Sequence, residues 1–382
     1  MKIERLRAEH YDELLEMLNS TFAHKYGHPV DFESMWPKMW VRDDEHMSRH
    51  IAVIEDGKIV AVTGVYPFET YIGESRFTFA TTGNVATRPE YEGRGYFKAT
   101  FGEAVRSLPE MGVDAARLGG SRQRYERFGY ALTGIEYKFT LSAYNAKSCA
   151  SEKTQKIEFK IIEKLDTPPI QFANSVYNAS PMRIVRSEAD GMRDVYAALT
   201  AQSCVPYIAT LDGEPIGYLC AVGAEIYEVR AVSPVLMLDM LAAYEMRVGG
   251  DIHFPLPAYM AEEVSLLASV CDGVTVGAPS YFNILNFEGI ADALLAVKAK
   301  STPLPSGSMR LGIEGYGTLE LTVDGDNTAV RLTDRAPEVT LSRLDAARYL
   351  FSNTPSLVCA HPSAFAAAIL PLPLGWNKLD CI

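Results

Sequence analysis

Val85-Ala-Thr-Arg-Pro-Glu-Tyr-Glu-Gly-Arg-Gly-Tyr-Phe97 passes from the end of an extended segment, through a glycine turn, into the start of a helix. Gly83–Thr87 closes a strand, Arg88-Pro89 stops it, and Phe97–Ser107 takes up helical spacing. Glycines at 93 and 95 let the backbone come close to a ligand, and the first-turn N–H groups beyond them have no intrahelical partner. Together these features make a cradle for a pyrophosphate, helped by a helix dipole worth about 0.3–1 kcal/mol when exposed. The loop is not a P-loop, because no Gly-Lys-Ser/Thr follows. Nor is it a dinucleotide fingerprint, because the third glycine is missing.

Working outward, two hairpins precede the loop. One runs from His50 to Tyr66 and turns at Asp56-Gly57; the next pairs Phe68–Ile72 with Arg76–Ala80 across Gly73. Residues 1–20 read as an amphipathic helix through Tyr11, Leu14, Leu15 and Leu18, followed by an aromatic stretch from Phe22 to Trp40. Beyond the loop, Met111–Leu118 reads as a strand, Arg122–Phe128 as a helix and Tyr137–Leu141 as a strand. The hairpin at Asp212-Gly213, with a helix over Ser233–Arg247, repeats the first plan weakly and without a glycine loop. A linker near Ser301–Ser308 leads to two strands around Asp324-Gly325 and a helix at Ser342–Phe351. The apolar C-terminal end, Leu370 to Ile382, is expected to pack against the rest.

At 382 residues the chain suits two or three domains. Its formal charge of -12 disfavours nucleic acid, which needs a basic face. Residues 1–150 carry 19 Lys+Arg against 21 Asp+Glu, so the rest of the chain holds most of the negative charge. The first part can therefore host an anionic cosubstrate while the remainder favours cationic partners. No apolar run is long enough for a membrane span, and the first residues lack a signal-peptide pattern, so the expected location is cytoplasmic. Six scattered cysteines without C-x-x-C read as free thiols, and the histidines have no metal-ligand spacing, so no metal is expected.

A second motif, Tyr125-Glu-Arg-Phe-Gly-Tyr130, ends a helix at a glycine. The Tyr125 phenol, with an ordinary pKa of about 10, can give a proton to a leaving thiolate. With the loop about 30 residues upstream, the chain resembles the GNAT superfamily of N-acetyltransferases. That family has Arg/Gln-x-x-Gly-x-Gly/Ala for coenzyme A pyrophosphate and a later Tyr-Glu-Lys/Arg-x-Gly-Phe/Tyr. Here Glu92 stands at the Arg/Gln position and Phe97 at the small one. The whole layout is similar to the Eis (enhanced intracellular survival) group, which tolerates a large residue at the position of Phe97 and has an Arg-Phe-Gly-Tyr ending, matched by Arg127–Tyr130.

The resemblance implies an α/β (α+β) fold: two GNAT-like mixed-sheet domains (1–148, and a degenerate 149–298), then a sterol-carrier-like α+β domain at 299–382. It implies acetyl-CoA as cosubstrate, held by Val85, Ala86, Thr87, Glu92, Gly93, Arg94, Gly95, Tyr96, Phe97 and Ser121. It implies Tyr125 as general acid and the terminal carboxylate of Ile382 as general base; the alternative for that carboxylate is a salt bridge that only pins the tail. It also implies direct transfer to a primary amine of an aminoglycoside-like, polyamine or lysine acceptor, and assembly as a homo-oligomer. Tyr26, Asp31 and Trp36, with Phe32, Trp40 and Glu33 nearby, are candidates for an acceptor pocket, the alternative being core packing. The competing function is a non-catalytic protein that binds coenzyme A or an apolar ligand.

Overall fold

A computed structural model describes residues 2–36, 38–189 and 192–381, with the Cys381 side chain left out. The first sheet starts with β1 (Lys2–Arg5), β2 (His50–Glu55), β3 (Lys58–Ile72), β4 (Ser75–Thr87), β5 (Ala115–Leu118) and β6 (Ala131–Thr133). Both N-terminal hairpins form where the turn residues place them. Asp56 and Gly57 adopt the left-handed backbone of a two-residue turn, and Ile72 faces Ser75 across Gly73. The helix expected over 1–20 begins only at Tyr11 and runs to Tyr26. Lys2–Arg5 instead alternates as a strand along β2, with Ile3 turned towards apolar neighbours, so ladder pairing wins over helical spacing. The strand expected from Met111 starts at Ala115, because Gly112 turns the chain and Asp114 binds the Thr78 N–H.

β7 (Glu136–Leu141) leaves this sheet and enters a second one, between β13 (Ile252–Pro257) and β14 (Gly273–Gly277). The second sheet continues through β8 (Ile157–Ile161), β10 (Val205–Leu211), β11 (Glu214–Val222) and β12 (Glu225–Ala231), while β9 (Met182–Ile184) adds to β3. In return, β15 (Ser280–Ile284) crosses back and inserts between β5 and β6. The two sheets thus exchange strands. A third sheet holds β16 (Gly307–Ile313), β17 (Gly317–Asp324), β18 (Asn327–Thr333) and β19 (Val339–Leu341), backed by the helices Phe287–Ser301 and Arg343–Phe351. One apolar core runs through all three sheets. Pairing is antiparallel except at β4/β5, β12/β13 and β16/β19.

The second sheet repeats the plan of the first: hairpin, third strand, helix, parallel strand. Its helix Pro234–Val248 is capped by Ser233, whose hydroxyl accepts from the Leu236 N–H, so no glycine loop opens there. The C-terminal tail touches both sheets. Trp376 is wedged between Phe68, Phe79 and Phe282 of the first sheet with the Arg117 guanidinium 4.5 Å from its ring centroid. Further on, Asp380 accepts from Arg186 (2.8 Å), the Tyr177 hydroxyl (2.6 Å) and Asn377 (3.1 Å). Arg186 also forks onto both oxygens of Glu228 on β12, at 3.0 and 2.7 Å, and all these groups are buried.

Candidate functional site

β4 and β5 run parallel only from Phe79/Ala115 to Thr81/Arg117 and then part. β4 bends at the same place. Val62 faces Ala86 while Gly64 faces Gly83, so Asn84 and Val85 stand opposite the single residue Thr63. Asn84 takes a left-handed φ of 50°, as one residue of a β-bulge does. Its side chain explains why asparagine suits the place. Asn84 Nδ2 donates to the Tyr66 hydroxyl (2.7 Å), and that hydroxyl donates to His50 Nε2 (2.8 Å). All three residues are buried. Burial lowers the His50 pKa to about 4, so the ring is neutral and can accept from Tyr66. Gly64 lacks a side chain because a Cβ there would overlap the Tyr66 ring.

Replacing Asn84 by alanine keeps the strained φ and leaves the buried Tyr66 hydroxyl one partner short. The expected loss is about 2 kcal/mol, read as a lower denaturant midpoint. The substitution Asn84→Gln, with a side chain too long for the same bond, should show a similar loss.

A cleft of about 640 Å³ opens beyond the bulge. Val85, Ala86 and Thr87 form one wall; Glu92, Gly93, Gly95, Tyr96 and Phe97 form the floor. Gly93 and Gly95 have φ of 77° and 84° with open space where a Cβ would go, so backbone conformation, and not crowding, demands glycine. The helix Tyr96–Glu110 begins at Gly95 without a side-chain cap, and Tyr96 is tied to Glu55 at the end of β2. Its first turn carries Lys98 and no acid, the opposite of what the helix dipole prefers unless an anion sits at the N-terminus. Lys25, Arg124 and Arg127 also line the cleft, so four cations face the single carboxylate of Glu92. In a chain of net charge -12 this is a local reversal of sign. The donor set fits a polyphosphorylated ligand such as coenzyme A.

Arg94 and Ser121 are not among the residues lining this cleft. Arg94 turns back to the Glu90 carbonyl (3.3 Å) and lies over the Tyr91 ring, and Ser121 is an exposed residue just before the short helix Arg122–Tyr125. Tyr125 is buried beside the cleft, its ring 5.1 Å from Phe101 and 6.2 Å from Phe97, under Gly120, where a Cβ would overlap it. Burial raises its pKa, and the neighbouring Arg124 acts in the opposite direction. The phenol is therefore protonated at neutral pH, the state an acid requires.

From the N-terminal helix the cleft takes Thr21, Phe22 and Lys25, whereas Tyr26, Asp31 and Trp36 lie elsewhere. Tyr26 is largely exposed and stacks on His28. Asp31 caps the helix Phe32–Met35 by accepting from Ser34, which lowers its pKa. Trp36 packs between two apolar clusters, and Phe32 and Trp40 are core. Glu33 accepts from the Tyr11 hydroxyl (2.9 Å). Ile382 lies outside the described residues. Sequence reasoning misses the four cleft cations and the His50–Tyr66–Asn84 chain. The run Arg122–Arg127, with three arginines to one glutamate, is the available signal for two of the cations.

Residues 2–133 match the family model of the acetyltransferase (GNAT) domain. Over nearly its whole length the chain is similar in fold to solved acetyltransferase structures. A GCN5-related N-acetyltransferase from Kribbella flavida is 19% identical with a TM-score of 0.62, covering 91% of this chain and 89% of that one. Eis1 from Mycobacterium abscessus is 14% identical with a TM-score of 0.63, over 91% and 89%. A probable N-acyltransferase from Enterococcus faecalis V583 is 16% identical with a TM-score of 0.66, over 98% of both chains. At these identities the likeness is one of fold. No curated protein matches the sequence. The domain match supports acyl transfer as the general chemistry. Among the described residues no helix is long and apolar enough to cross a membrane. No group of three or more His, Cys, Asp or Glu among them is arranged to hold a metal.

Proposed function

We propose that this protein transfers the acetyl group of acetyl-CoA to a primary amine of a cationic acceptor. The observation that carries the reading is the cationic cleft at an uncapped helix N-terminus, next to a bulged strand, in an otherwise acidic chain. Backbone N–H groups of Gly93 to Phe97 would hold the pyrophosphate. The bulge takes Val85 out of ladder register, and its N–H is the natural donor to the thioester oxygen as negative charge develops there.

In the transfer, the amine nitrogen bonds to the carbonyl carbon, the C–S bond breaks, and Tyr125 protonates the departing thiolate. An alkylammonium of pKa about 10.4 must lose a proton, which costs about 4–5 kcal/mol at pH 7. The terminal carboxylate of Ile382 is our candidate base. At an ordinary pKa of about 3.5 it would work mainly after attack, when the nitrogen has become far more acidic. The acidic balance of residues 151–382 would draw in an aminoglycoside-like, polyamine or lysine acceptor. The division into units at 1–148, 149–298 and a sterol-carrier-like 299–382 belongs to the same reading.

The test is calorimetric titration of acetyl-CoA, followed by thiol release with a panel of amines. Micromolar binding with amine-dependent release is expected, and absence of binding would end the reading. Removing Cys381 and Ile382 should lower kcat at least tenfold with acetyl-CoA affinity intact. A folded, fully active shortened chain would remove the carboxylate from the mechanism.

A further inference from the structure

The glycine loop departs from the pattern it resembles at two positions, Glu92 and Phe97, and the structure connects them. Phe97 is half-buried at the start of its helix, edge-on to Phe128 with centroids 5.8 Å apart. The guanidinium carbons of Arg124 and Arg127 lie 5.5 and 5.7 Å from the Phe97 centroid, and Arg127 is also 5.1 Å from that of Phe128. Among the described residues neither arginine pairs with a carboxylate. Their neighbour Arg122 does, with Glu126 at 2.6 Å, and it does not line the cleft. Two cations have thus been gathered over one ring with no anion between them. An aromatic face attracts a guanidinium without neutralising it, so the charge stays available to a ligand. On the loop side, Glu92 contributes the wrong sign for a phosphate and Arg94 is turned away.

We propose that Arg124 and Arg127, seated on Phe97, supply the phosphate-binding charge that the loop lacks at position 92. The phosphorylated ligand would be held jointly by backbone N–H groups of the loop and by the two guanidinium groups. Glu92 is then tolerated because the charge has moved, and the bulky Phe97 is the seat that moved it. This inference rests on the acetyl-CoA reading above.

The experiment is calorimetry on the full chain with acetyl-CoA, its 3′-dephospho form and acetyl-pantetheine, at several salt concentrations. Binding is the readout because Arg124 also neighbours Tyr125, so turnover would mix two effects. Both arginines are exposed, and Arg124→Gln/Arg127→Gln should fold as the parent does, checked by its melting curve. The double variant should bind acetyl-CoA about 100-fold more weakly, with a flatter salt dependence, while acetyl-pantetheine affinity stays unchanged. Phe97→Leu, which keeps an apolar side chain but removes the ring, should weaken acetyl-CoA at least fivefold and leave acetyl-pantetheine alone. A loss on the dephospho form as large as on acetyl-CoA assigns the pair to the pyrophosphate; a double variant indifferent to dephosphorylation assigns it to the 3′-phosphate. If the parent binds acetyl-CoA and the double variant binds it equally well, the inference is overturned while the transferase reading stands. If the parent does not bind acetyl-CoA at all, the transferase reading fails first.

Discussion

Tyr125→Phe is expected to lower kcat by about 10²- to 10⁴-fold while acetyl-CoA binds within threefold of the parent affinity. The change removes one oxygen from a ring held by Phe97, Phe101 and Gly120, so the packing that shapes the cleft survives. What is lost is the proton that lets sulfur leave as a thiol. Burial lifts the phenol above its ordinary pKa, so the parent should keep its acid protonated through neutral and mildly alkaline pH. Its alkaline limb should lie above about pH 10, and the variant should have none from this group. Equal kcat in the two proteins would take Tyr125 out of the chemistry. A thioester with a more acidic thiol should narrow the gap, because a better leaving group needs less help.

Arg186→Met should cost about 3–5 kcal/mol of stability, the largest expected effect of a single substitution away from the cleft. It leaves Glu228 and Asp380 buried without their shared cation. Removing the charges together, as Arg186→Met with Glu228→Gln and Asp380→Asn, should recover most of that loss, since the penalty lies in unpaired charge more than in the absence of the bridge. Acid should unpair the same cluster from the other side, by neutralising its carboxylates. Burial alone would raise the Glu228 pKa, but Arg186 and the hydrogen bonds around it bring it down to about 2. A depressed carboxylate stabilises the fold above its unfolded pKa of about 4.5, and the contribution fades as pH falls towards 2. Denaturant midpoints measured between pH 5 and 2.5 should therefore drop for the parent and change much less for the triple variant.

How far the sequence can be read depends on the range of the forces involved. Asp56-Gly57, Gly73, Asp212-Gly213 and the 93–95 glycine turn are legible because a turn or a left-handed backbone is decided within a few residues. The start of the first helix is misplaced by spacing alone because Lys2–Arg5 answers to β2, about 50 residues away, and not to its neighbours. The exchange of β7 and β15 is invisible for the same reason: alternation reveals a strand but not the sheet it joins. In the cleft, Glu92, Gly93, Gly95, Tyr96 and Phe97 of the loop are lining residues and Arg94 is not. Lys25 and the arginines reach it from elements that no spacing rule connects to a glycine turn. Asp31 reads as a free acid near aromatics and is an N-cap, a role its Asp-Phe-Glu-Ser context could have indicated.

The exchanged strand and the tail also set a schedule for synthesis. β5 and β6 wait for β15 to complete their sheet, and β15 is some 150 residues further along the chain. At ordinary elongation rates that interval is roughly 10–30 s, during which two unpaired edges stay open to chaperones or to other nascent chains. Trp376, which fills the gap between Phe68, Phe79 and Phe282, emerges later still, almost 300 residues after Phe79. The sheet begun first thus receives its last packing partner near the end of the chain. A polypeptide halted between Phe97 and Trp376 would carry the whole glycine loop on an incomplete support.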